Sequence, residues 1–197
     1  HGDEEAENVF VAQSILSQEI PRKEIYVLAR TNRQLENIAM VLERYSIRYL
    51  KRTVEEKKEN LVPEEDQVTL STVHAIKGLE AEIVYMIGVN SQMYPCIVSE
   101  HPFLNIVKLD DDYDKYAEEL RLLYVGLTRA KKKLVISYHN TLSSFLNKDA
   151  QKLLKQVNNQ KIQKTEKIPY KVKQGGLFSE LRQWRYLTSQ RLGLRPY

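Results

Sequence analysis

Two patterns of apolar residues alternate along the chain as far as Tyr138. Apolar residues recur at helical spacing in residues 4–17, 33–45 and 113–130, which predicts amphipathic helices. Short apolar runs, typical of buried strands, lie between them at residues 25–28, 68–71, 83–89 and 133–138. Strands that alternate with helices indicate a parallel sheet with helices on both faces, an α/β fold.

The composition changes after residue 148. From Gln151 to Gly175 the chain has seven lysines against the single acidic residue Glu166, which predicts a basic linker over residues 149–175. Residues 176–197 regain a helical spacing of apolar residues. We therefore predict a compact domain over residues 3–148, then the basic linker, then a terminal helical segment.

Composition narrows the class of protein. A chain of 197 residues with 42% hydrophobic and 28% charged residues is long and apolar enough to bury a core. With Cys96 as its single cysteine, the chain offers neither an internal disulfide nor a cysteine-based zinc site. No apolar run is long enough to cross a bilayer, so we expect a cytoplasmic protein without a membrane partner. The net charge of +4 permits an anionic partner such as a nucleic acid.

Phosphate- and metal-binding signatures are missing from the sequence. No glycine-rich loop ends in Lys-Ser or Lys-Thr, and no acidic pair at a strand end indicates a Mg²⁺ site. We therefore predict no metal site in this chain. The residues alone indicate an α/β domain with polar loop residues at the ends of its strands.

Three longer motifs carry a specific resemblance. They are YVLARTNRQLE (Tyr26–Glu36), VTLSTVHAIKGLEAEIVYMIGV (Val68–Val89) and EELRLLYVGLTRAKKKLVISY (Glu118–Tyr138). In this order they resemble motifs IV, V and VI of superfamily 1 DNA helicases of the UvrD, Rep and PcrA type. The resemblance implies the second RecA-like motor domain of such a helicase. The stretch LFSELRQWR (residues 177–185) resembles the start of an HRDC domain.

The resemblance implies two arginines in an ATP site. Arg129 matches the arginine finger of motif VI, whose planar guanidinium can stabilise transferring phosphate oxygens. Because Arg129 lies between a predicted helix and a predicted strand, we expect it at the ligand-binding end of the sheet. The alternative is an arginine that caps the C-terminus of its helix. Arg30, which follows a predicted strand, matches a second γ-phosphate contact, and its alternative is an ordinary surface arginine.

Motif V implies contacts to both nucleotide and DNA. Gly78 permits close approach of the backbone, and Glu80 matches the carboxylate that binds the ATP ribose, although it could simply be a carboxylate at a helix start. Thr72 and His74 match residues that touch the backbone of single-stranded DNA, although a histidine beside a strand is often hydrogen-bonded within its own domain. Ala29 departs from the family pattern, which carries an aromatic residue there to stack on adenine.

Together the motifs imply the C-terminal motor half of an ATP-dependent 3′–5′ DNA helicase of the kind used in DNA repair. This half supplies the arginine finger and DNA contacts, while an N-terminal motor domain holds most of the ATP and Mg²⁺. The expected partners are single-stranded DNA and that N-terminal domain, and the chain alone should be inactive. The alternative is a non-catalytic module, derived from a helicase domain, that binds single-stranded nucleic acid or protein.

Overall fold

The computed structural model describes residues 1–52, 62–76, 78–96 and 114–156. These residues belong to one compact unit, His1–Val157. Most of the predicted linker and the whole predicted terminal segment lie outside the described residues, so both stay predictions. Among the described residues, no helix is long and apolar enough to cross a membrane.

Strands and helices alternate along the described residues as the apolar pattern predicts. In chain order they are α1 (Glu4–Leu16), β1 (Ile25–Ala29), α2 (Asn32–Arg44), β2 (Arg48–Arg52), β3 (Gln67–Thr72), β4 (Ala81–Met86), α3 (Lys115–Leu127), β5 (Ala130–Ile136) and α4 (Lys148–Lys152). Side-chain caps begin the longer helices: the Asp3 carboxylate accepts the amide of Ala6 at 2.7 Å, and Thr31 with Gln34 forms a capping box on α2.

The five strands form one parallel sheet in the order β2-β3-β1-β4-β5. Tyr26 pairs with Thr69 of β3 on one side and with Val84 of β4 on the other. The predicted parallel α/β fold is therefore confirmed. The apolar pattern did not predict β2, whose sequence is RYLKR, because basic side chains on an edge strand leave no apolar run to detect.

Helices cover both faces of the sheet, also as predicted. Successive strand residues point to opposite faces, so Val27 belongs to the core beneath α1 and α2, while Leu28 belongs to the core beneath α3. Helix α3 approaches the sheet closely at Gly126, where a Cβ would lie 2.7 Å from the sulfur of Met86. Helix α3 and β4 are thus in close contact at Gly126.

Candidate functional site

The predicted site residues lie at two opposite edges of the sheet. Arg30 and His74 follow the C-terminal ends of β1 and β3, and we call this end of the sheet the carboxyl edge. Glu80 and Arg129 directly precede β4 and β5, and we call that end the amino edge. The six residues of β4 separate the two edges by about 17 Å at 3.3 Å per residue.

The structure therefore does not bring Arg30 and Arg129 together. We expected Arg129 at the ligand-binding, carboxyl end of the sheet, and that placement is wrong. A helix that leads directly into a strand of a parallel sheet ends where the strand begins, so the junction of α3 and β5 lies at the amino edge. A single phosphate group cannot touch both arginines across this distance.

Glu80 and Arg129 are neighbours at the amino edge, and Gly78 precedes Glu80 by two residues in the same loop. The amide of Ala81 donates to the carbonyl of Arg129 at 3.0 Å, so the residue before β4 lies beside the residue before β5. Gly78 is exposed and has a φ of +86°, a left-handed conformation that favours glycine. This edge thus presents a cation, a carboxylate and an exposed stretch of backbone side by side.

Arg129 folds back onto the end of its own helix. Its Nε donates to the carbonyl of Val125 at 2.9 Å, and its Nη2 donates to the hydroxyl of Thr128 at 3.2 Å. This is the helix-capping geometry of the alternative interpretation. The side chain remains partly exposed, and a guanidinium has five N–H donors in all, so capping leaves it donors for another ligand.

At the carboxyl edge, Arg30 is held by Glu119 of α3. Its Nε and Nη2 donate to the two carboxylate oxygens at 3.1 and 2.5 Å. The side chains are 17% exposed for Arg30 and 7% for Glu119. The amide of Cys96 also donates to Glu119, at 3.3 Å. Arg30 is thus occupied by a largely buried, forked ion pair that joins β1 to α3.

Burial and the Arg30–Glu119 ion pair together shift two pKa values at this edge. Burial alone would raise the pKa of Glu119, but the hydrogen bonds and charge of Arg30 and the Cys96 amide lower it overall. Desolvation and the positive charge of Arg30 lower the pKa of His74. The carboxylate is therefore ionised and the imidazole is neutral near pH 7.

The loop after β3 presents His74 to solvent and keeps Thr72 inside. Thr72 is 7% exposed, and its hydroxyl accepts the amide of Ala75 at 3.4 Å. The amide of Val73 donates to the carbonyl of Ala29 at 3.0 Å, which fixes the loop to β1. His74 is exposed. Of the two predicted DNA contacts, His74 is free to meet a ligand, whereas Thr72 shapes the loop.

Ala29 has no exposed surface and belongs to the core beneath α1 and α2. An aromatic ring at this position would have to displace core side chains. The family's adenine-stacking position therefore does not correspond to an open surface here.

Glu7 of α1 is a buried carboxylate that lies outside the three motifs and was not predicted. It accepts hydrogen bonds from the amide of Gly88 and the hydroxyl of Ser137, both at 2.6 Å, and it lies 2.6 Å from Nδ1 of His139. Glu7 thereby ties α1 to the ends of β4 and β5. Among the described residues, no three His, Cys, Asp or Glu side chains are arranged to hold a metal ion.

Residues 48–141 match the family model of the UvrD-like helicase C-terminal domain. This part of the chain, just under half of its length, is similar to that family. The match includes motifs V and VI and confirms the resemblance that the motifs indicated. It contains both the loop with His74 at the carboxyl edge and the amino-edge residues Glu80 and Arg129.

Curated relatives of the UvrD-like domain are named DNA helicases. The chain is 40% identical over 87 residues to DNA helicase II of Haemophilus influenzae, which is 44% of this chain and 10% of that protein. It is 43% identical over 70 residues to the ATP-dependent DNA helicase PcrA of Leuconostoc citreum, which is 36% of this chain and 8% of that protein. The chain thus spans about a tenth of the length of these relatives.

A solved structure supports the fold of the UvrD-like domain. The C-terminal domain of a possible DNA helicase from Lactobacillus plantarum WCFS1 superposes with a TM-score of 0.52 at 17% identity, covering 74% of this chain and 76% of that one. The parallel five-stranded sheet thus has the same RecA-like α/β fold as that domain.

Proposed function

We propose that this domain is the C-terminal motor half of an ATP-dependent DNA helicase, with the nucleotide at its amino edge and single-stranded DNA at its carboxyl edge. The observation that carries the proposal is the division of the motif residues. Gly78, Glu80 and Arg129 gather at one edge, and the His74 loop lies at the other. Two ligands at opposite edges can be bound at the same time, which a motor driven by nucleotide turnover requires.

At the amino edge, Arg129 acts on phosphate held by the N-terminal half. Its guanidinium turns away from its helix cap and stabilises charge on the transferring phosphoryl group. Glu80 accepts hydrogen bonds from the ribose hydroxyls, and the backbone at Gly78 permits close approach. A single carboxylate is a poor Mg²⁺ site, so the metal would be held by the N-terminal half, where it would neutralise phosphate charge.

At the carboxyl edge, the neutral imidazole of His74 exchanges hydrogen bonds with the backbone of single-stranded DNA. Thr72 holds the loop that presents it. We assign Arg30 to its ion pair with Glu119 rather than to the γ-phosphate, because the phosphate side of the domain lies about 17 Å away. The 3′–5′ direction of movement and a role in DNA repair are proposed from the family resemblance.

The test measures ATP turnover and DNA affinity of the full-length protein in two variants. Arg129→Ala should lower ATP turnover by about 10³-fold, which is the typical effect of losing an arginine finger. It should leave DNA affinity unchanged. Arg129→Lys should restore little, because an ammonium lacks the planar fork. His74→Ala should weaken DNA binding and leave turnover at saturating DNA nearly intact.

Arg44→Ala is the matched control for Arg129→Ala. Arg44 also lies in the last turn of a helix that ends at the amino edge, but on the opposite face of the sheet, and it pairs with Glu5 at 2.8 Å. Its variant should turn over ATP like the wild type. Near-normal turnover in Arg129→Ala would refute the arginine finger. Retained DNA binding by a full-length protein that does not hydrolyse ATP would favour the non-catalytic binding module instead.

A further inference from the structure

Helix α3 physically connects the two edges of the sheet. Glu119 lies in the part of α3 nearest the carboxyl edge, and Arg129 follows the end of the same helix at the amino edge. From Glu119 to Leu127, where α3 ends, the helix rises about 12 Å at 1.5 Å per residue, and Arg129 follows two residues later. Close packing of Gly126 on Met86 leaves the helix little freedom to bend. A displacement of α3 at Glu119 therefore has a direct route along the helix toward Arg129.

Glu119 joins three separate segments at the carboxyl edge. It accepts two hydrogen bonds from Arg30 and one from the amide of Cys96. Arg30 follows β1 directly, and its neighbour Ala29 accepts the amide of Val73, which begins the His74 loop. The path from the His74 loop to α3 therefore runs through two hydrogen-bonded contacts, one of them a forked ion pair.

A buried ion pair adds little net stability to the contact between two elements. Removing both charges from water costs about as much as the pair recovers, and apolar side chains of similar size often give equal stability. The pair does, however, fix geometry, because the planar guanidinium meets the carboxylate in one orientation. Because this geometry is fixed, a small movement of Arg30 at the end of β1 should move Glu119 of α3 with it.

We propose that the Arg30–Glu119 ion pair is a positioning element that couples DNA binding at the His74 loop to the placement of Arg129 at the nucleotide. The inference rests on the proposed function and adds the connection between its two sites. Binding of single-stranded DNA to the His74 loop shifts the position of β1 and Arg30. The Arg30–Glu119 ion pair transmits this shift to α3, and α3 transmits it to Arg129. By reciprocity, a bound nucleotide affects DNA affinity through the same contacts.

The experiment compares Glu119→Gln with Glu118→Gln in the full-length protein. Both variants replace one carboxylate of α3 by an amide, but Glu118 is exposed and Glu119 is buried against Arg30. For each we measure ATP turnover without DNA and with saturating oligo-dT, together with the melting temperature. Glu119→Gln should lower the ratio of stimulated to basal turnover by about tenfold, within the range of typical coupling between sites. Glu118→Gln should keep the wild-type ratio.

A purely structural pair gives a different result. It predicts a lower melting temperature for Glu119→Gln, with the stimulation ratio of the remaining folded protein unchanged, and that outcome would overturn the proposal. Arg30→Lys is the second variant, because it keeps the charge and removes the fork, and it too should lower the ratio. Loss of folded protein in both variants would also overturn the proposal in favour of a purely structural pair.

The wild-type measurement separates this inference from the proposed function. If the wild-type protein shows no DNA-stimulated turnover, the proposed function fails and the coupling fails with it. If the wild type is stimulated and Glu119→Gln is stimulated equally, only the coupling fails. Combining Glu119→Gln with Arg30→Lys should reduce the ratio no further than either change alone, because both remove the same contact.

Discussion

Replacing Ala29 by Tyr tests where the adenine ring of a bound nucleotide can lie. The family pattern places an aromatic residue before Arg30, and this chain has Ala29 there. If that position faced the nucleotide, a restored ring would tighten ATP binding by about 1 kcal/mol, as aromatic contacts do elsewhere. In the structure, however, Ala29 is fully buried beneath α1 and α2, at the edge opposite Glu80 and Arg129.

The structure therefore predicts a cost in stability and no gain in affinity. Forcing a larger side chain into a packed core costs about 1–3 kcal/mol. A buried phenol hydroxyl without a partner costs about 1–3 kcal/mol more. At about 3 °C per kcal/mol for a domain of this size, the melting temperature should fall by about 10 °C.

The melting temperature is measured by thermal unfolding of the 197-residue chain, followed by circular dichroism. Nucleotide affinity is measured as the binding of an ATP analogue to the full-length protein. Met40→Tyr is the control, because Met40 lies on α2 with 57% of its surface exposed, and a change there should stay within about 0.5 kcal/mol. Tighter analogue binding by Ala29→Tyr at an unchanged melting temperature would refute the reasoning.

Three further predictions concern the chain itself. The isolated chain should hydrolyse no ATP above a mock preparation, with or without oligo-dT, because its sequence has no phosphate loop. Gly78→Ala should lower the free energy of unfolding in urea by about 1 kcal/mol, since its φ is +86°, whereas Gly2→Ala should not. Because the pKa of Glu119 is lowered in the fold, its contribution to stability is complete above the unfolded pKa of about 4.3 and is lost as pH falls through the folded pKa. Urea titrations down to about pH 3 should show a shallower acid-side loss in Glu119→Gln than in the wild type.

The sheet and the helices on its two faces could be predicted from the sequence. Strands such as Ile25–Ala29 are continuous apolar runs, and helices such as Asn32–Arg44 carry an apolar stripe, so both produce clear patterns. The apolar pattern did not predict β2, because an edge strand needs little apolar surface. Its residues gain their place by pairing with β3, from Arg48 opposite Gln67 to Arg52 opposite Ser71, and such pairing is not visible in local sequence.

The motifs named candidate site residues but could not predict their arrangement, and the roles of these residues stay predictions. Motifs named Arg30 and Arg129 together, yet the direction of the parallel strands separates them. Glu119 is 89 residues from Arg30 in the chain, and a glutamate in an amphipathic helix is usually exposed. Only the tertiary packing of α3 on the sheet buries it and gives it a partner.

Residue-resolved hydrogen exchange of the full-length protein tests the two-edge arrangement most directly. A non-hydrolysable ATP analogue should slow exchange of the amides at Gly78, Glu80 and Arg129 far more than exchange in the loop at His74. Oligo-dT should slow exchange in the His74 loop. The arrangement would be contradicted if the analogue protected the amides around Arg30 at the carboxyl edge and left those at Gly78, Glu80 and Arg129 unprotected.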